Sequence, residues 1–397
     1  MASPLTTTTL PVPPGAVAKV SIIDLESRGH GMPYSMLLTP PWEGLDVLNN
    51  FPDFCFLVES SAGEKLLFDL GFPLDIDSFP PVVSNMWKNS GVVLDMKKDA
   101  AGILKEHGVA LEDIGAVVWS HHHSDHIGDI RTFPKSTDLV VGPGFKKAFF
   151  TVFPTNPLSE LHESYFEGRT LREIDFSDAS RTLTIGAFRA YDFFGDGSFY
   201  LLDAPGHDHG HLAGLARTTS SSATAAGDGD KDTFIFMAGD LCHNAAELRP
   251  SVHLPLPEGH HEEHGSNDSG TWSAAHEDNK DSRQYPSLSP CITTALISAI
   301  KQKQLQRGRR VDEPFFDAAL YVDADLAAQS IRDAQVADAD GNVFVVMAHD
   351  ATIYSADGGD GGEKRSKVEF FPAWANDWKK KGWKEGVMWD FLGQMPV

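Results

Sequence analysis

His121-His122-His123-Ser124-Asp125-His126, directly after the apolar run Ala116-Val117-Val118-Trp119, is the stretch that decides the fold. The apolar run reads as a buried strand, so four imidazoles and a carboxylate crowd into the turn at its carboxyl end. A solvated loop has no need of such crowding. Imidazole nitrogen and carboxylate oxygen are the ligands that borderline metals such as zinc prefer. Side chains alternate along an extended segment. His121 and His123 can therefore converge on one point, with His122 facing away, while Asp125 and His126, beyond the turn, reach a second point nearby. The run suggests two metals rather than one.

Working outward, three more apolar runs end the same way. Leu201-Leu202-Asp203 breaks at Ala204-Pro205-Gly206 and reaches His207; Phe234-Ile235-Phe236-Met237 passes Ala238-Gly239 and reaches Asp240; Val343-Phe344-Val345-Val346-Met347 reaches His349. A lone histidine after a strand is usually a loop residue. Four polar strand ends together are not a chance pattern, because a sheet brings neighbouring strand ends into one place.

These residues carry a resemblance to the metallo-β-lactamase-fold hydrolases. The signature His-x-His-x-Asp-His of that family is matched by His121, His123, Asp125 and His126, the later motifs by His207, Asp240 and His349, and the early Asp-x-Gly by Asp69-Leu70-Gly71, in the family's order. The resemblance implies an α/β fold, an αββα sandwich of two mixed sheets with outer helices. It implies two Zn2+ per chain, with iron or manganese as substitutes. His121, His123 and His207 would bind the first ion, Asp125, His126 and His349 the second, and Asp240 would bridge them. Asp69 would orient a ligand, as metal sites generally require. Zinc brings the pKa of water to about 7, so a shared hydroxide could attack a carbonyl without a serine or cysteine nucleophile. Asp125 would then also steer the proton.

Within the family, Phe68-Asp69-Leu70-Gly71, Ala348-His349-Asp350 and the overall spacing look most like the quorum-quenching N-acyl homoserine lactonases. Those lactonases place a tyrosine three residues after the bridging aspartate. Here that position is His243, a candidate hydrogen-bond donor or general acid, or else a loop histidine. The expected activity is opening of a lactone or related cyclic ester. A lactam, cyclic carbamate or acyl thioester is the alternative within hydrolysis, and an iron-dependent oxidoreductase is the alternative of another class.

The rest of the chain bounds the reading. The 397 residues carry a formal charge of −23, which disfavours nucleic acid and anionic membranes as partners, and the resemblance implies a small-molecule substrate with a hydrolysable carbonyl. Oligomeric state is left open. Cys55, Cys242 and Cys291 are too few and too scattered for a disulfide framework, and no apolar stretch has the length of a signal or a membrane span, so a cytoplasmic protein is expected.

Residues 1–16 read as a flexible or draped arm, and 17–397 as a single domain with insertions near 145–170, 219–231 and 258–288. Strands are expected at Val17–Leu25, Phe54–Glu59, Lys65–Asp69, Leu139–Val141, Thr182–Tyr191, Ser198–Asp203 and Ala213–Thr218. Helices are expected at 97–107, Ile292–Gln306, and from a cap at Asp323 through Ala334. His260, His261, His264 and His276 read as part of a solvated loop. The aromatics between Phe145 and Phe166 read as core packing rather than as the lining of a substrate pocket. Trp374, Trp378, Trp383 and Trp389 read as a C-terminal element packed on the sandwich, with its lysines in solvent.

Overall fold

The apolar strand runs are continuous because both of their faces are buried. In Phe54-Cys55-Phe56-Leu57-Val58, the side chains of 54, 56 and 58 enter one apolar cluster and those of 55 and 57 another. Leu66-Leu67-Phe68 and Ala116-Val117-Val118 alternate the same way. In the second half of the chain, Phe234, Phe236, Val343 and Val345 enter a third cluster, while Ile235, Met237, Phe344 and Val346 return to the first. A period of two with apolar residues at every position is the mark of a strand covered on both sides.

The computed structural model describes residues 9–221, 231–259, 292–354 and 366–397. Its strands in the first half of the chain are β1 (Lys19–Pro33), β2 (Leu38–Thr39), β3 (Val47–Glu59), β4 (Lys65–Phe68), β5 (Val93–Asp95), β6 (Ile114–Val118), β7 (Asp138–Val141) and β8 (Leu171–Glu173). The second half gives β9 (Thr182–Ile185), β10 (Phe188–Asp192), β11 (Phe199–Asp203), β12 (Leu212–Thr219), β13 (Thr233–Met237), β14 (Asp317–Ala318) and β15 (Val343–Val346).

They form a seven-stranded sheet in the order β5-β1-β3-β4-β6-β7-β8 and a six-stranded sheet in the order β15-β13-β12-β11-β10-β9, with β2 and β14 as a separate pair. Both large sheets are mixed: β4, β6, β7 and β8 run parallel, as do β13 and β15, and the other pairs are antiparallel. The first cluster fills the space between the sheets. The second joins the outer face of the seven-stranded sheet to the helix Ala100–Glu106, and the third joins the outer face of the six-stranded sheet to Thr294–Gln306 and Ala324–Ala339. The layer order is therefore αββα, as the resemblance implies.

Several local expectations are corrected. Thr182–Tyr191 is a hairpin rather than one strand: Gly186, at φ +58, turns the chain so that Phe188 pairs with Ile185. The first strand runs on past Leu25 to Pro33, carried by irregular pairing with β3. The helix after Asp323 continues beyond Ala334 to Ala339. In the C-terminal element Lys384 is buried rather than solvated. Its Nζ donates to the carbonyls of Asp338 in the last turn of the Ala324–Ala339 helix, of Asp340 just beyond it and of Val343 at the start of β15, at 2.6, 2.7 and 2.7 Å.

Of the expected arm, residues 9–16 lie against the sandwich: Leu10 is buried and its N–H donates to Asp340, and the Ala16 N–H donates to the Asp196 carbonyl. In the 145–170 segment, Phe145 and Tyr165 pack on Trp119. The expected loop histidines, His260 to His276, lie outside the described residues, as does Cys291.

Candidate functional site

Strand register places the candidate ligands at one end of the sandwich. In the parallel pair β13–β15, Met237 lies opposite Val346, so Asp240 and His349, each three residues further on, emerge side by side. In the parallel pair β4–β6, Phe68 lies opposite Val118, and the Asp69 N–H donates to the Val118 carbonyl at 2.8 Å. His121 follows at once. His207 comes from the loop that joins the antiparallel strands β11 and β12. The Leu212 N–H donates to the Ser120 carbonyl at 2.8 Å and stitches the two sheets together beside the cluster.

The ligand atoms form two groups that share one carboxylate. His121, His123, His207 and Asp240 form the first, and Asp125, His126, His349 and Asp240 the second. In the first group, His121 Nε2 lies 2.8 Å from His123 Nδ1, and His207 Nε2 lies 3.2 and 3.1 Å from those two atoms. Ligands at the corners of a tetrahedron around zinc stand about 3.3 Å apart. Asp240 Oδ2 faces this group, 3.9 Å from His121 and 3.7 Å from His207. Its other oxygen, Oδ1, faces the second group, 3.2 Å from His126 Nε2 and 3.5 Å from His349 Nε2. Asp125 Oδ2 is 3.4 Å from His349 Nε2.

The residues fit divalent cations. His126 Nε2, His349 Nε2 and Asp240 Oδ1 are buried, close to one another and without a hydrogen bond, and such orphaned polar atoms are rare in a folded protein. The opposite edges of the rings are tied down. His126 Nδ1 lies 2.9 Å from Asp69 Oδ2, His207 Nδ1 3.1 Å from the Leu320 carbonyl, and His349 Nδ1 2.9 Å from the Pro52 carbonyl. Each tie turns Nε2 inward, the usual way a metal-binding ring is aimed. Asp69 also accepts the Ser120 N–H and hydroxyl at 2.7 and 2.8 Å, and the Ser120 hydroxyl stands 3.0 Å from His121 Nδ1. Asp69 adopts φ +60, a left-handed conformation that aspartate tolerates better than most side chains. Gly71 is required because a Cβ there would stand 2.1 Å from Leu25 Cδ1 and 2.5 Å from Asp53 Oδ2.

Electrostatics point the same way. Burial pushes His121 and His207 well below the ordinary histidine value, which keeps them neutral, the form in which imidazole binds metal. Burial works against positive charge on His349 too, but Asp240 and Asp125 outweigh it and hold it at about 9. For His126 the same burial cost is outweighed by Asp240 and Asp69. Burial would raise Asp125, yet His349 and His126 bring it down to about 2. The second group is thus a buried place where positive charge is favoured.

Over the cluster lies a cavity of about 250 Å³. His123, Asp125, Asp240, His349 and His243 lie at its polar end, and Met32, Leu37, Leu48, Phe51, Trp87 and Leu320 supply apolar wall. His243 is buried with Nε2 3.5 Å from Asp240 Oδ2, and its backbone N–H donates to Glu247 at 2.9 Å. His122 stands apart from the ligand atoms. Its Nδ1 meets Asp208 Oδ2 at 2.5 Å and its Nε2 meets Glu160 Oε2 at 3.2 Å. Burial opposes charge on this ring, but the two carboxylates hold it at about 9.

Sequence reasoning missed His211, Asp208, Glu160 and Trp87. His211 donates Nδ1–H to the Ala204 carbonyl, 3.0 Å away, and accepts the Asp240 backbone N–H at Nε2, 3.1 Å away, so it fixes the peptide that carries the shared carboxylate. A further histidine four residues after His207 was the available signal. The Trp87 Nε1–H donates to the Ser124 hydroxyl at 2.8 Å.

Comparisons with known proteins place the chain in a family. The model of the metallo-beta-lactamase superfamily matches residues 48–243. Gamma-lactamase FDB1 of Fusarium pseudograminearum is 36% identical over 383 residues, covering 94% of this chain and 81% of that protein. Metallo-hydrolase mfmC of Annulohypoxylon moriforme is 36% identical over 414 residues, covering 99% and 94%. Among solved structures, a mutant of B. thuringiensis AiiA with N-decanoyl-L-homoserine bound at its active site is similar at a TM-score of 0.51 and 15% identity, covering 90% of this chain and 99% of that one, a likeness of fold. With its sandwich, its signature residues at one sheet end and these relatives along nearly its whole length, the chain belongs to the metallo-beta-lactamase superfamily of hydrolases.

Proposed function

We propose that this chain opens the ring of a cyclic ester or cyclic amide, with two zinc ions held by His121, His123 and His207 on one side, by Asp125, His126 and His349 on the other, and by Asp240 between them. The observation that carries this reading is the division of Asp240, one oxygen towards each group of ligand atoms. Ions held there supply Lewis acidity, polarising a carbonyl and making water nucleophilic at neutral pH.

The side chains do the rest. Asp125 lines the cavity as a carboxylate and can take a proton from the attacking water. His243, on the same wall, reaches the carbonyl or the leaving atom as a hydrogen-bond donor. The apolar wall excludes bulk water and limits the substrate to a small ring system. Other nucleophiles are poorly placed: the Ser124 hydroxyl is engaged by Trp87, and burial pushes the Cys242 thiol well above its ordinary value. The name of one relative, a gamma-lactamase, supports a cyclic amide, and that of another, a metallo-hydrolase, supports hydrolysis.

The test is a panel of γ-lactones and γ-lactams followed by pH-stat and mass spectrometry, with metal content measured by emission spectroscopy. Ring opening with two zinc ions per chain is expected, with activity lost in His121→Ala and Asp240→Ala. Iron with oxygen uptake and no ring opening would replace hydrolysis by the oxidoreductase reading.

A further inference from the structure

Among the described residues lining the cavity, Glu160 is the one acidic side chain outside the two groups of ligand atoms. It also borders a larger outer cleft of about 620 Å³, shared with His122, Phe149 and Asn156. Glu160 therefore stands at the junction between the cavity and the outside, with its side chain 51% exposed. Its Oε2 is tied to His122 Nε2, while Oε1 makes no hydrogen bond among the described residues.

The tie is firm because His122 is itself fixed. Asp208 Oδ2 meets the His122 ring at 2.5 Å and accepts its backbone N–H at 3.2 Å, and Phe149 stacks on the ring with centroids 4.0 Å apart. Glu160 is thus a positioned carboxylate, with one free oxygen, at the edge of a mostly apolar cavity. It can accept hydrogen bonds and cannot donate them.

We propose that Glu160 is a specificity-determining residue that accepts a hydrogen bond from an N–H, O–H or ammonium group on the outer side of the substrate, so that the preferred substrate is a small lactone or lactam bearing such a donor. The proposal rests on the ring-opening reading above. Hydrogen bonds to a charged acceptor are among the stronger ones. Because Glu160 is half exposed, water can replace a missing donor. The expected discrimination is therefore about tenfold to a hundredfold, well short of what a fully buried polar site achieves.

The experiment uses zinc-loaded full-length enzyme and γ-butyrolactones carrying either an amino or an isosteric methyl group at the α or at the β ring carbon. For at least one ring position, wild type should favour the amino compound by about tenfold to a hundredfold in kcat/KM. Glu160→Leu should bring that ratio close to one by losing activity on the amino compound alone, and Glu160→Gln, which retains a neutral acceptor, should fall between. A wild-type ratio near one at every position, or an equal fall on amino and methyl compounds in Glu160→Leu, overturns the proposal. If wild type opens no ring, the ring-opening reading fails separately. Calorimetric Kd values for the same pairs then decide the role of Glu160: an amino preference abolished by Glu160→Leu sustains it, and equal affinities refute it.

Discussion

Asp69 Oδ2 lies 2.9 Å from His126 Nδ1, although the two residues are far apart in sequence. The same carboxylate accepts the Ser120 N–H, so one side chain sets both the ring of His126 and the start of the histidine run. Asp69→Asn keeps the size of the side chain and tolerates the left-handed backbone. It replaces one acceptor oxygen with an NH2 that faces either a ring N–H or a backbone N–H. Metal affinity should fall about tenfold to a hundredfold, read by chelator competition, while far-UV circular dichroism stays unchanged.

Removing metal should cost stability as well as activity. The ligands come from both sheets, so an ion that binds only the folded chain stabilises it by about 2.7 kcal/mol when its free concentration is a hundred times Kd. Dialysis against a strong chelator should abolish turnover and lower the melting temperature, and zinc should restore both. A melting temperature indifferent to chelation would mean that the cluster holds no ion in solution.

Arg249 and Asp338 form a buried pair, with Nε and Nη2 2.7 and 2.6 Å from the two carboxylate oxygens. Burial alone would raise the Asp338 carboxyl, but the facing guanidinium outweighs it and holds it below the usual carboxylate range. The folded value is thus lower than the unfolded one. The stabilisation is present above about pH 4 and is lost as pH falls through the folded value. Urea midpoints measured down the acid range should show this loss in wild type. Arg249→Met strands the carboxylate and should cost about 3–5 kcal/mol at neutral pH. The double variant with Asp338→Leu should recover much of that loss and flatten the acid dependence.

Gly206 holds His207 against the helix Ala324–Ala339. Its φ is +125, and a Cβ would stand 2.0 Å from the Ala327 backbone nitrogen. Its carbonyl also accepts the N–H groups of Val322 and Asp323 at 3.0 and 2.9 Å. Gly206→Ala should destabilise the protein by about 2–4 kcal/mol and weaken metal binding at the His207 side, read by denaturant titration and metal content. An alanine variant of full stability would mean that the helix can shift without disturbing His207.

The parts of this molecule written in neighbouring residues were readable in advance. Unbroken apolar runs such as Ala116–Trp119, and the polar residue that follows each of them, reported buried strands and the ligand candidates, because both depend on local order along the chain. Contacts that close across the fold were not readable. Glu160 reaches the cavity through His122, and His211 steadies Asp240, only because loops from different strands meet there. Lys384 looked solvated among other lysines because nothing nearby in sequence reveals the three carbonyls that enclose it. The split of Thr182–Tyr191 at Gly186 was a local signal read too weakly, since glycine inside a strand pattern permits a turn.

The cavity wall has a consequence for how such an enzyme changes over time. Met32, Leu37, Leu48, Phe51, Trp87 and Leu320 come from stretches that contribute none of the seven ligand candidates. Mutations can therefore remodel what the cavity admits while the residues that would activate water stay fixed. Selection can act on appetite and on reactivity as separately heritable traits, and a new diet need not be acquired by first dismantling the old chemistry.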